Sequence, residues 1–201
     1  MKIGVFGGTF DPVHLGHLIA AQEAHSLLSL ETVLFVPSRE PWRKSGKDIT
    51  SAEHRLAMLR LATGGNPAFE VSMVDLEREG PSYTVDTLAD LMNYYGPEEE
   101  LYFIMGWDAL FDLPNWKEPD RLIKMCHLVS FHRPDYLSRD LASLEESVPG
   151  ITARTMALEM PQIGISASLV RERVAEGLPI KYLVPREVEA YILATGLYRK
   201  G

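Results

Sequence analysis

Two histidines one helical turn apart, His14 and His17, follow a Gly7-Gly8 pair in the stretch "GVFGGTFDPVHLGH" (residues 4–17). Three chemistries are open to such a group: a metal site, a dinucleotide-binding turn, or a cradle for phosphate. Adjacent glycines lack Cβ atoms and let backbone approach a ligand closely. A helix starting beside them offers unpaired N–H groups and the positive end of its dipole, which together suit an anion, and both histidines could face it. Zinc needs a third ligand, yet His25 lies two turns on and no cysteine is near. The G-x-G-x-x-G dinucleotide fingerprint is missing, because the glycines fall at 4, 7, 8 and 16.

Two further helix starts carry polar residues of the same kind. In "GPSYT" (80–84), Ser82 or Thr84 is the expected N-cap of a helix over 85–95. In "GISASLVRER" (164–173), Ser166 or Ser168 caps a helix and Arg171 sits one turn inside it. Two hydroxyls, backbone amides and a guanidinium at one helix start suit phosphate oxygens. Each feature alone could be no more than a turn or a cap, and Trp107 and Trp116 could be core or rim aromatics. Together they are hard to explain as structure only.

The elements that must position these residues alternate along the chain. Apolar runs predict strands at 2–7, 32–37, 69–75, 101–106, 127–132 and near 154–160. Between them, helical periodicity covers 18–30, 51–63 and 85–95, with a helical patch after 106 and a weaker helix near 138–147. Helices near 168–176 and 186–195 close the chain, the last with Pro185 before it and Gly196 after it. Repeated strand-helix-strand order with almost unbroken apolar strands predicts an α/β fold: a doubly wound, mostly parallel sheet. One domain over residues 1–201 is expected, with a helical C-terminal part from about 165. Ligands on such sheets bind beyond the carboxyl ends of the strands.

Bulk properties narrow the classes. A chain of 201 residues buries roughly 70% of its unfolded surface. The net charge of −8, with no basic stripe beyond Arg39-Arg43-Lys44-Lys47, argues against a nucleic-acid partner. No apolar run approaches the ~20 residues of a membrane span, and Met1-Lys2 leads directly into strand residues with no signal-peptide layout. The single cysteine, Cys126, rules out an internal disulfide and reads as a buried structural thiol. A reducing cytoplasm is the expected location. The oligomeric state is left open, a homo-oligomer included.

"GGTFDPVHLGH" resembles the GxFxPxHxGH signature of the nucleotidyltransferase superfamily, and "ISASLVRER" resembles its ISxTxxR-type second signature. "EREGPSYTVDTL", "FIMGWDALFDLPNWK", "FHRPD" and "YLVPREVEAYILATGLY" are similar to the corresponding segments of the bacterial nicotinate-nucleotide adenylyltransferases, so the likeness spans essentially the whole chain in order. It implies a Rossmann-like fold and transfer of AMP from ATP to nicotinate mononucleotide, giving nicotinate adenine dinucleotide and pyrophosphate in NAD biosynthesis. It implies that Gly7, Gly8, Thr9 and Phe10 line the ATP site, that His14 and His17 contact its phosphates, and that Ile165, Ser166, Ser168 and Arg171 close over them. Gly106 and Asp108 would meet ribose hydroxyls, and Arg133 would reach the ligand. Lys44, Tyr83, Thr84 and Trp116 would hold nicotinate mononucleotide, with Thr84 and nearby amides on the carboxylate and Trp116 stacked on the pyridine. Catalysis would rest on His14, His17 and Arg171, with Mg²⁺ bridging the ATP phosphates and no dedicated protein cage for it. The chain departs from the family at Trp42-Arg43, where a proline and a histidine are usual, at Ser168 for threonine, and at the bulky Trp107. A sister adenylyltransferase acting on nicotinamide mononucleotide or phosphopantetheine, a non-catalytic nucleotide sensor and a nicotinamide-dependent oxidoreductase are the competing readings.

Overall fold

The computed structural model describes residues 1–42, 49–132, 141–161 and 163–199. The chain runs β1 (Lys2–Gly8), α1 (Leu15–Leu28), β2 (Thr32–Pro37), α2 (Ala52–Thr63), β3 (Phe69–Val71), α3 (Val74–Glu77) and α4 (Thr84–Tyr95). It continues through β4 (Glu100–Gly106), α5 (Trp107–Phe111), α6 (Pro119–Met125), β5 (His127–His132), α7 (Ala142–Glu145), α8 (Ile151–Arg154), β6 (Thr155–Glu159), α9 (Ala167–Ala175) and α10 (Arg186–Thr195). Among the described residues the strands form one sheet in the order β3-β2-β1-β4-β5-β6, every pairing parallel.

Successive side chains of a strand point to opposite faces, so runs apolar throughout must be covered on both. Ile3, Val5, Leu34, Leu101 and Phe103 pack on one side against Val85 and Leu88 of α4, Leu110, Leu122 and Ile151. Val33, Phe35, Tyr102 and Ile104 pack on the other against Ala21 and Ala24 of α1, Met58 and Leu59 of α2, Val170 and Ile192. From β1 the chain winds outward to β2 and β3, then crosses back to lay β4 on the other flank of β1. That reversal opens a crevice beyond the carboxyl ends of β1 and β4, where open α/β sheets bind ligands.

Several boundaries differ from expectation. The first helix starts at Leu15 rather than 18, because His14 serves as its N-cap, and it ends at Leu28 with Ser29 in the left-handed region at φ 52°. The third strand stops at Val71. The Ser72 amide still reaches the Phe35 carbonyl at 2.9 Å, but the chain turns helical from Val74. The patch after 106 resolves into α5, a 3-10 turn at Leu113–Asn115, and α6. The helix expected near 138–147 is the single turn α7 within the described residues.

Candidate active site

One end of the crevice is built by α1 and α9. The His14 and His17 rings stack with centroids 3.6 Å apart, and His17 Nδ1 accepts the His14 backbone N–H at 3.2 Å. That bond makes Nδ1 an acceptor, so a neutral His17 carries its proton on Nε2. His14 is buried, its Nδ1 has no hydrogen-bond partner among the described residues, and desolvation pushes its pKa down to about 4. Its ring is therefore neutral near pH 7. Gly16 makes room for this arrangement: a Cβ there would stand 3.1 Å from the His14 ring and 3.7 Å from the Ile165 carbonyl. The two segments with phosphate chemistry thus meet at Gly16 and Ile165.

The amides expected to be free at the start of α1 are partly spent. Leu15 donates to the Leu183 carbonyl at 2.9 Å and His17 to the His14 carbonyl at 3.0 Å, so donors to a ligand here are side chains more than backbone. At α9, Ser166 is the cap, its hydroxyl accepting the Leu169 amide at 3.1 Å. Ser168 is not the cap; its hydroxyl accepts from Arg171 at 3.3 Å. Arg171 also donates to the Asp11 carbonyl at 2.7 Å, which carries its guanidinium toward the loop after β1.

The other end is a cavity of about 240 Å³. Gly7, Gly8 and Thr9 at the end of β1, Met105 and Gly106 at the end of β4, and Thr84 at the start of α4 contribute to its lining. Trp42 and Trp116 supply aromatic wall. Trp116 is fixed edge-on to Phe103, centroids 6.1 Å apart, and donates its indole N–H to Asp112 at 3.2 Å. The start of α4 corrects the expected cap. Tyr83 is the N-cap and offers no side-chain bond, while Thr84 is the first helical residue and Ser82 instead accepts the Arg39 amide at 2.9 Å. Asp86 and Thr87 donate their amides to the Tyr83 carbonyl. The amides of Thr84 and Val85 take no acceptor among the described residues, which leaves a positive helix end at the cavity.

The glycines have a second purpose. A Cβ on Gly8 would meet the Phe10 ring at 3.0 Å, and one on Gly7 the Phe103 ring at 3.3 Å, so aromatic rings as well as any ligand need their bareness. Phe10 has φ 48°, in the left-handed region that bulky residues rarely adopt. Its ring is buried beside Phe6, Phe35 and His17, the last with centroids 5.1 Å apart. It supports His17 rather than lining the cavity.

Behind both ends lies a clamp the motifs did not reveal. Arg55, 1% exposed, donates to the carbonyls of Thr50 (2.9 Å), Thr9 (2.9 Å), Ser38 (2.7 Å) and Arg39 (3.3 Å). One guanidinium thereby ties the loop after β1 to the loop after β2. Burial lowers its pKa, and nearby Asp11 opposes that shift. The buried Asp11 carboxylate accepts the Tyr198 hydroxyl at 2.7 Å and the Thr50 amide at 3.2 Å. Burial and the bond to Asp11 raise the Tyr198 pKa, so its phenol stays protonated.

Of the remaining expected residues, Asp108 stands exposed at the start of α5, its carbonyl accepting the Asp112 amide. Tyr83 faces Trp42, centroids 6.1 Å apart, with the Lys117 ammonium 4.7 Å from its ring. Trp107 packs on Phe111, centroids 5.4 Å apart, and does not line the cavity. Lys44, Arg43 and Arg133 lie outside the described residues. The wall residues Ser38 and Asp75 carry no motif, and Thr87 and Phe103 fall inside the family-like segments but are not among the expected site residues. A signal for Arg55 did exist: it takes an apolar-face position of α2, in step with Met58, Leu59 and Ala62. Cys126 is buried, with its thiol pushed up to about 12, and takes no part. Among the described residues no three His, Cys, Asp or Glu are grouped to hold a metal ion, and no helix is long and apolar enough to cross a membrane.

Comparison with known proteins adds four findings. The model of the cytidylyltransferase-like family matches residues 5–173. A protein of Moorella thermoacetica curated as "Probable nicotinate-nucleotide adenylyltransferase" is 46% identical over 202 residues, covering 98% of this chain and 92% of that protein. One of Thermomicrobium roseum with the same curated name is 48% identical, covering 98% and 92%. Among solved structures, the Plasmodium falciparum nicotinic acid mononucleotide adenylyltransferase complexed with NaAD superposes with a TM-score of 0.78 at 22% identity, covering 98% of this chain and 97% of that one.

Proposed function

The chain belongs to the cytidylyltransferase-like family, among its nicotinate-nucleotide adenylyltransferases, and from that premise we propose that it transfers AMP from ATP to nicotinate mononucleotide, releasing nicotinate adenine dinucleotide and pyrophosphate. The observation that carries the reading is a pair of unlike sites at the carboxyl ends of β1 and β4, linked by Phe6, which lines the cavity and whose ring centroid lies 5.9 Å from that of His17. One has histidine and guanidinium donors; the other has an aromatic wall and a helix start with two open amides. The first suits a triphosphate, the second a flat ring bearing a carboxylate.

The phosphate monoester of nicotinate mononucleotide has a second pKa near 6, so it is mostly dianionic at neutral pH and needs no general base. One of its oxygens attacks the α-phosphorus of ATP in line, the bond to the β-phosphate oxygen breaks, and pyrophosphate leaves with that electron pair. The protein's contribution is positioning and charge stabilisation. His17, its proton on Nε2, donates to a phosphate oxygen. Neutral His14 stacks on His17 and fixes its plane, and Arg171 with Ser166 and Ser168 closes from α9. Gly7 to Thr9 and Gly106 hold the nucleoside, and Trp116 and the amides of Thr84 and Val85 hold the pyridine and its carboxylate. The phosphate end presents donors rather than carboxylates, which fits Mg²⁺ bound through substrate oxygens. Bound that way, Mg²⁺ would neutralise charge on the triphosphate and leaving group. Use of ATP and one buried thiol agree with a cytoplasmic location.

The test is pyrophosphate release from ATP and Mg²⁺ with nicotinate mononucleotide, nicotinamide mononucleotide, phosphopantetheine or no acceptor. Release chiefly with the nicotinate acceptor is expected. Release with another acceptor would overturn the assignment of the Thr84 and Trp116 end. Binding of ATP without release in any of the four would favour a nucleotide sensor.

A further inference from the structure

The mechanism leaves unused an ionic network behind the cavity wall, buried at Asp75 and partly exposed at Arg78 and Asp90. Asp75, 5% exposed, lines the same cavity as Thr84 and Trp116. Its Oδ1 accepts the Thr87 hydroxyl at 2.6 Å and an Arg78 N–H at 2.5 Å. Arg78 also pairs with Asp90, and it donates to the Thr87 oxygen at 3.3 Å. Thr87 lies in the first turn of α4, so Asp75 helps to anchor the helix start that the proposed carboxylate would meet.

A carboxylate in that wall has the wrong sign for an acidic ligand. Unpaired, it would repel the carboxylate of nicotinate and leave a neutral amide untouched. Burial pushes the Asp75 pKa up, and the Thr87 hydroxyl and the Arg78 cation oppose that shift. The pocket can prefer the acid when the Asp75 charge is balanced, and the cation that contacts Asp75 is Arg78. We propose that Arg78 is a specificity-determining residue: by neutralising Asp75 in the cavity wall, it sets the preference for the acid over the amide form of a pyridine mononucleotide. The inference rests on the pyridine-end assignment made above. Arg78 itself does not line the cavity and acts through Asp75.

The experiment is steady-state kinetics at saturating Mg-ATP on nicotinate and nicotinamide mononucleotides. It compares the parent protein with Asp75→Asn, Arg78→Lys, Arg78→Met and the double variant Asp75→Asn/Arg78→Met. The readout is the ratio of kcat/KM for acid over amide, which a general loss of structure would not move. Arg78→Met should lower the ratio by roughly tenfold or more, the scale of one uncompensated nearby charge. Arg78→Lys should retain most of it, and the double variant should restore it. Equal losses on both substrates in Arg78→Met, with no recovery in the double variant, would overturn the proposal. Should Arg78→Met fail to fold, Asp75→Asn carries the test: with the negative charge gone from the cavity wall and Arg78 still paired to Asp90, it should raise the ratio, and a fall would overturn the proposal. A parent protein that turns over neither mononucleotide removes the pocket reading itself, and the inference with it.

Discussion

His17 concentrates the chemistry of the phosphate end. Its Nδ1 is occupied by the His14 backbone N–H, which places a donor proton at Nε2. His17→Ala should lower kcat by about 10²-fold, the scale of removing one transition-state donor, with the fold retained by circular dichroism. His14 behaves differently because it is buried and neutral. Its folded pKa is about 4 against an ordinary 6.5, so the unfolded chain binds the extra proton more readily. That contribution to stability is complete above about pH 6.5, declines as pH falls, and is lost by about pH 4, costing up to about 3 kcal/mol. Denaturant titrations across that window should show the decline, and His14→Gln should flatten it. The residue types here were legible in the sequence, and His14, His17, Ser166 and Arg171 do gather. Their division of labour was not, because it depends on a ring stack and a tautomer that only packing selects.

At the scale of elements, the strands were legible because parallel strands covered on both faces are apolar throughout. The strands at 32–37 and 127–132 and the helix at 186–195 match to the residue. What escaped was irregular: a helix capped by histidine in place of a hydroxyl, and an α4 whose polar neighbours Ser82 and Thr84 leave its first amides open. The Arg55 clamp escaped for another reason. Its partners are four backbone carbonyls, groups that every sequence has and none advertises. Removing the guanidinium leaves those acceptors short of donors in a dry interior. Arg55→Met should therefore cost about 3 kcal/mol in urea unfolding. It should also raise KM for ATP, since the Thr9 and Ser38 loops lose their common anchor. Arg55→Lys, with one compact ammonium, should recover only part of either effect.

Over the whole molecule, the sheet supplies the crevice and the C-terminal segment closes one end of it. Asp11 accepts Arg171 at its carbonyl and Tyr198 at its carboxylate, contacts spanning 160 and 187 residues of sequence. Tyr198→Phe removes a donor from a buried carboxylate and should cost about 2 kcal/mol, lowering Tm by roughly 6 °C. Differential scanning calorimetry and pyrophosphate release on the same sample would check both, since kcat should fall with the loosened Arg171. During synthesis, the loop after β1 leaves the ribosome long before its anchors Arg171 and Tyr198, which lie 160 and 187 residues beyond Asp11. A nascent chain halted after β5 would already hold both strands that flank the crevice and the aromatic wall of the pyridine end, but not the α9 donors. On the proposed assignment, the residues for one substrate are thus synthesised well before those that would join it to the other.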